Sequence, residues 1–289
     1  MISSLLLLSL CYYDLALTSL VNFKIIEHFP CPAGGSIWDE KIIFPNSSVS
    51  QILEDPDEPG CYKLGGDLRA TELIKDDIHV FVESSHSLNE QGTIRTFAEC
   101  QGYDPETQCG GYGGNCLYCS LCSAYHKTDR FTNSGMRVWL SYNDTKVGCG
   151  QALIRAHENY LRHLHHGDKY AQEYNSEYGP YLHFCMPNEE QFLKSRGITR
   201  QDWDQLIRER DTSIGGAFMP SKVALYVTIR IMTHDYTKML KAQRSFLRSH
   251  GGPDKISEKI RQLLPFNRLI WNNKGFIGCH KMFGNVLLE

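Results

Sequence analysis

Cys116, Cys119 and Cys122 recur at every third position, with His126 shortly after them. In a reducing compartment that spacing would suit zinc or an iron–sulfur cluster, because both are held by thiolates. The chain begins, however, with an apolar leader, MISSLLLLSLCYY, of the kind that directs export. Beyond such a leader cysteines are oxidised, and an oxidised cysteine holds no metal. Five of the eleven cysteines lie between Cys100 and Cys122. Setting aside Cys11 leaves Cys31, Cys61, Cys100, Cys109, Cys116, Cys119, Cys122, Cys149, Cys185 and Cys279. Their even number fits five disulfides, with no metal expected and no thiol left as a nucleophile.

The histidines offer a second kind of chemistry. His157, His163, His165 and His166 crowd one helical stretch. A zincin needs two histidines four apart, with Glu directly after the first. His157-Glu158 is followed at that place by Leu161, so the motif fails. The plainer reading is a solvated helix face, which can also respond to acid. No G-x-S-x-G elbow, dinucleotide-binding glycine loop or phosphate loop occurs. Asp76 and Asp77 are neighbours in a predicted strand, where they point to opposite faces and cannot work as a pair. No catalytic constellation and no cofactor is implied.

The elements that would position these residues change character along the chain. Asp76 to Glu83 alternates, with Ile78, Val80 and Val82 on one face. Arg137 to Tyr142 alternates through Val138 and Leu140, and Thr93 to Glu99 is a weaker strand. Asn143 to Lys146 reads as a turn. Short strands, frequent Gly and Pro, and many cysteines point to an antiparallel sandwich. After residue 150 helical spacing takes over. Gln151 to Tyr174, Glu189 to Lys194, Arg200 to Arg210, Tyr236 to His250 and Asp254 to Leu264 are the predicted helices. Val223 to Ile231 interrupts them as a strictly alternating strand. The tail from Leu269 to Phe283 reads as a hairpin turning at Asn272 to Gly275.

Charge divides the chain at the same place. Residues 1–150 carry 10 Lys and Arg against 19 Asp and Glu, and residues 151–289 carry 20 against 14. An acidic, disulfide-dense part thus precedes a basic, disulfide-poor one. The basic part could make transient contact with an anionic membrane surface, but no tight Lys/Arg run points to nucleic acid. The expected organisation is a signal peptide over 1–18, a unit over 19–155 and a helix-rich α+β region over 156–289. The apolar leader is shorter than the ~20 residues a spanning helix needs. Asn46 and Asn143 stand in glycosylation sequons.

The run GNCLYCSLC resembles a signature of the ganglioside-activator branch of the ML (MD-2-related lipid-recognition) family. Cys100 would end a strand, with Gly114, Cys116, Tyr118 and Cys122 following. SGMRVWLSYNDTKVGC is similar to that family's terminal hairpin, closed by Gly148 and Cys149. Leu64 to Glu83 looks like its central strands. The resemblance covers about residues 30–155. Cys119 is additional, and residues 156–289 have no counterpart. The tail also ends in Gly-Cys, so Cys279 competes with Cys149 for the closing bridge. If Cys279 closes it, the helical region becomes an insertion in a single domain.

The expected fold class is α+β, an N-terminal disulfide-rich antiparallel β-sandwich followed by a helix-rich α+β region, and the resemblance implies that the sandwich opens to hold acyl chains. It also implies a Cys100–Cys109 bridge. The closing bridge is expected from Cys149 to an early cysteine, Cys31 before Cys61. Val80, Val82, Val138 and Leu140 are the candidate cavity residues, though the same residues could fill a closed core. The expected function is a secreted or lysosomal protein that extracts, carries or presents an amphipathic lipid or glycolipid, in the manner of a lipid-hydrolase activator. Two other classes remain open. One is a secreted enzyme using His157, His163 or His183. The other is a non-catalytic extracellular interaction protein.

Overall fold

The alternation from Val223 to Ile231 forms a strand at the centre of the larger sheet. The computed structural model describes residues 21–31, 39–44, 52–56, 58–87, 99–124, 137–142, 149–166, 179–205, 223–272 and 275–288. Among these, β1 (Val21–Pro30), β6 (His79–Ser87), β7 (Cys116–Tyr118), β10 (Val223–Met232) and β11 (Gly278–Leu288) make a five-stranded antiparallel sheet in the order β1-β11-β10-β6-β7. A second antiparallel sheet joins β3 (Leu53–Glu54), β4 (Cys61–Gly65), β9 (Pro180–Cys185) and β8 (Arg137–Tyr142) in the order β3-β4-β9-β8. β2 (Ile42–Ile43) and β5 (Arg69–Ala70) pair separately.

Period-two patterning decides what each sheet buries. Val80 and Val82 of β6, with Leu225, Val227, Ile229 and Ile231 of β10, share one core with Leu64, Val138, Leu140, Leu182 and Phe184 of the second sheet. The sheets also touch directly. The Phe23 N–H donates to Tyr62 Oη at 2.6 Å, and the Tyr62 hydroxyl donates to Asn22 Oδ1 at 3.1 Å. The alternate residues Phe81, Leu117, Met232 and Cys279 form a second core on the opposite face of the large sheet. Leu240 and Phe266, from two helices, cover them there.

The helices whose bounds are described are α1 (Leu121–Ala124), α2 (Cys149–His166), α3 (Glu189–Arg196), α4 (Thr237–Ser249), α5 (Glu258–Leu263) and α6 (Pro265–Trp271), and residues 200–205 are helical as well. α3 has complete caps. Asn188 accepts from the Gln191 N–H at 2.9 Å, and Gly197 ends the helix at φ 65°. α2 buries Ala152, Leu153 and Ala156 in the main core. It is tied to β5 where His157 Nδ1–H donates to the Ala70 carbonyl at 3.0 Å.

All ten cysteines outside the leader are paired, as Cys31–Cys279, Cys61–Cys185, Cys100–Cys116, Cys109–Cys119 and Cys122–Cys149. The count is as expected; the Cys100–Cys109 and Cys31–Cys149 pairings are not found, and the closing bridge is the competing one through Cys279. Cys100 joins Cys116 rather than Cys109, because β7 brings Cys116 beneath the start of the cysteine-rich loop. Cys149 joins Cys122 rather than Cys31, since it opens α2 beside α1. Cys31 is carried to Cys279 by the β1–β11 ladder, in which Pro30 stands opposite His280.

The division at residue 155 also needs correction. β6 pairs with β10, β1 with β11, and β8 with β9, so both sheets combine strands from either side of that boundary. The helix-rich stretch is an insertion within a shared fold. The predicted tail hairpin is half right. β11 is its second arm, but Leu269 to Trp271 end a helix that starts at Pro265. An apolar trio is too short to distinguish strand from helix by period, and Pro at the first helical position decides it. The leader, both sequons, His126, the predicted strand at Thr93 to Glu99 and the turn at Asn143 to Lys146 lie outside the described residues or, for Glu99, at their edge.

Candidate functional site: a cleft under the helical cap

Val80, Val82, Val138 and Leu140 all lie in the main core, between 0% and 8% exposed. Val82 borders a cavity of about 20 Å³ between β6, β10 and α3. That is room for a water molecule and not for an acyl chain.

The larger cavity is on the other face of the five-stranded sheet. It measures about 160 Å³ and lies between β6, the cysteine-rich loop and the cap formed by α4, α5 and α6. Three parts of the sequence meet there. β6 presents Phe81 and Glu83, on the opposite face from Val80 and Val82. The loop presents Glu99, Cys100 and Asn115. The cap supplies Leu240, Leu247, Phe266, Ile270 and Trp271, together with Gln243, Arg244 and Arg261. The floor is apolar, with Phe81 edge-on to Phe266 at 5.0 Å between ring centroids.

The polar wall is held by named contacts. Arg244 Nη1 donates to the Gln108 carbonyl at 3.0 Å and to Gln108 Oε1 at 3.2 Å, and its guanidinium lies 3.8 Å over the Tyr103 ring. This one side chain pins α4 to the cysteine-rich loop. Burial lowers the Arg244 pKa from its usual value, with Tyr103 and Glu99 opposing, and an arginine remains a cation under such a pull. Glu83 is ion-paired to Arg230 of the neighbouring strand. Gln243 Oε1 accepts from the Phe266 and Asn267 N–H groups at 3.1 and 3.3 Å, capping α6 from α4.

The loop itself is tightly folded. Gly111 sits at φ +101°, and a Cβ there would lie 2.5 Å from the Gln101 carbonyl oxygen and 2.8 Å from Cys100 Sγ. Only glycine fits both the backbone angle and the space. Glu106 and Thr107 donate backbone N–H groups to Asp104 Oδ1 at 2.7 and 3.1 Å, and these bonds hold the Asp104 carboxyl below its usual pKa.

The histidine candidates sit elsewhere. His157 bonds Ala70 as described, His163 is half-buried and His165 is exposed on α2. His183 meets Ser141 through Nε2 and stacks on Trp139 at 4.8 Å. Ser141 and His183 are 2% and 3% exposed, so the pair is packed into the sheet rather than presented to a substrate. Glu58, Cys61 and Cys185 come within 4.8 Å of one another, the reach of a metal ion, but the two sulfurs are bonded to each other.

Among the described residues, fold and site together define a disulfide-linked α+β protein with two main antiparallel sheets and a helix-roofed cleft. Five disulfides fit an extracellular or secretory-pathway protein. Among the described residues, no helix is long and apolar enough to cross a membrane. No protein-family model matches the chain, and neither does any curated protein or any solved structure. The cleft was missed in the sequence because its residues come from three separated parts of the chain. The local pattern also misled: Ile270 and Trp271 read as one arm of a tail hairpin, whereas they end the helix Pro265–Trp271 at the cleft.

Proposed function

We propose that this is a secreted or lysosomal lipid-binding protein that holds the apolar end of an amphipathic lipid in the cleft under its helical cap. The observation that carries this reading is a cavity with an aromatic and aliphatic floor, a charged wall, and Trp271 at its rim, 70% exposed. Apolar pockets with a few convergent polar groups are the usual form of a small-ligand site. A cavity of ~150 Å³ holds a benzene-sized group, so the cleft suits roughly six carbons of one chain. At ~0.8 kcal/mol per methylene that contributes about 5 kcal/mol, enough for sub-millimolar binding before ordering costs. Useful affinity therefore requires polar contacts to a head group, for which Arg261 and Glu99 stand on the cleft wall. Carriage to a hydrolase remains part of the proposal, as does a two-sheet likeness to ML proteins, although two expected bridges do not form and the proposed cleft lies outside the space between the sheets.

The test is mass spectrometry of lipid extracted from the purified protein, with titration of a fluorescent monomeric fatty acid. Ile270→Trp adds bulk to the half-buried cleft wall and should weaken fatty-acid binding at least tenfold. Unchanged affinity in that variant, with its fold intact by circular dichroism, would place the ligand elsewhere. No bound lipid and no titration would end the lipid reading.

A further inference from the structure

The cap that roofs the cleft has an outer surface of unusual composition. Between Thr237 and Trp271 the chain carries eight Lys and Arg against Asp254 and Glu258, in a protein whose net charge is −3. Lys238, Lys241, Arg248, Lys255, Lys259 and Arg268 are all exposed. Large apolar side chains stand among them. Leu263 is 62% exposed, Ile260 48% and Trp271 70%. Ile260 and Leu263 lie three apart in α5 and share one helix side. Arg268 and Trp271 have the same relation in α6. Arg261 and Gln262, between Ile260 and Leu263, line the cleft with Trp271, so the exposed apolar residues adjoin its mouth.

We infer that this outer face of α4, α5 and α6 docks on an anionic membrane surface, with Trp271, Leu263 and Ile260 entering the head-group region and the surrounding cations meeting lipid phosphate and carboxylate. A soluble polyanion would account for the charge but leave three large apolar residues in water. A second copy of the chain would account for the apolar residues but place like charges against each other. A membrane with anionic head groups satisfies both, since amphipathic helices bind there through apolar area and cation attraction together. Trp at the rim suits the interface, where an apolar ring can keep its N–H in a polar layer. The inference deepens the lipid-binding reading, because docking would bring the cleft mouth to the lipid. It stands on different side chains and can succeed or fail separately.

The experiment is co-sedimentation of the full chain with vesicles of phosphatidylcholine alone and of phosphatidylcholine with 30% phosphatidylserine, at low and high salt. Partitioning should be at least tenfold stronger on the anionic vesicles at low salt and fall at least tenfold at high salt. Leu263→Asp and the double variant Lys259→Glu/Arg268→Glu should each reduce it at least tenfold. All three positions are exposed, so folding should survive. Fatty-acid binding should stay within twofold in these variants, whereas Ile270→Trp should lose fatty acid and keep vesicle binding. Equal binding to both vesicles, or indifference to charge reversal, would overturn the docking face. Heparin binding that survives Leu263→Asp, without vesicle binding, would overturn it in favour of an acidic polymer. Concentration-dependent dimerisation abolished by Leu263→Asp, without vesicle binding, would overturn it in favour of self-association.

Discussion

Acid should destabilise this protein chiefly through the buried His280. His280, on β11, is fully buried, with Phe44 5.0 Å from its ring and His28 hydrogen-bonded to it at 3.0 Å between Nδ1 of His28 and Nε2 of His280. Nδ1 of His280 has no hydrogen-bond partner among the described residues. Adding a proton there would bury a charged donor with nothing to accept it. Burial first, and then His28, push the His280 pKa down to about 3. In the unfolded chain the same group titrates near 6.5. The folded pKa is depressed, so His280 contributes fully to stability above pH 6.5, and its contribution is lost as pH falls toward about 3. Between pH 7.5 and pH 5 the unfolded state takes up a proton that the folded state refuses, at a cost of about 2 kcal/mol. His79 is shifted down in the same direction by burial, although Asp235 and Asp77 oppose it. The assay is urea unfolding at pH 7.5, 6.5 and 5 with the disulfides intact, for the natural protein and for His280→Phe. The variant should be ~1 kcal/mol less stable at pH 7.5 from the lost hydrogen bond. It should then lose about 2 kcal/mol less than the natural protein on acidification. Parallel acid losses in the two proteins would refute the argument.

The other two expectations concern staples and core. Replacing Cys31 and Cys279 by Ala should cost ~5 kcal/mol, against ~3 kcal/mol for Cys109 and Cys119, because the first bridge closes a far longer loop even after Cys61–Cys185 shortens the path; the separations are 248 and 10 residues. Equal losses in denaturant titrations would show that chain entropy is not the controlling term. Val82→Asp and Val138→Asp should each lower stability by roughly 3–5 kcal/mol, as an unpaired buried carboxylate does. A variant that keeps its melting temperature and loses only lipid uptake would instead return the binding site to the space between the sheets.

Residue type and spacing alone established a good deal. Ten cysteines behind an apolar leader read as five disulfides, and five form. Strict alternation from Val223 to Ile231 read as a strand, and Arg137 to Tyr142 as another, because a two-residue period depends only on neighbours along the chain. The cysteine partners were not legible. Which sulfur meets which depends on strand pairing across the molecule, and β1 meets β11 through residues 250 positions away. The domain boundary failed for the same reason: composition changes near residue 150, whereas hydrogen bonding between strands ignores that change. The cleft is a tertiary product altogether. Phe81, Arg244 and Phe266 have no common local pattern, and only the sheet between them and the main core gives Phe81 a face different from that of Val80 and Val82. The basic charge of the cap was visible as a sum. Its concentration beside Leu263 and Trp271 was decided by folding, which buried the opposite side of each helix and left these residues outward.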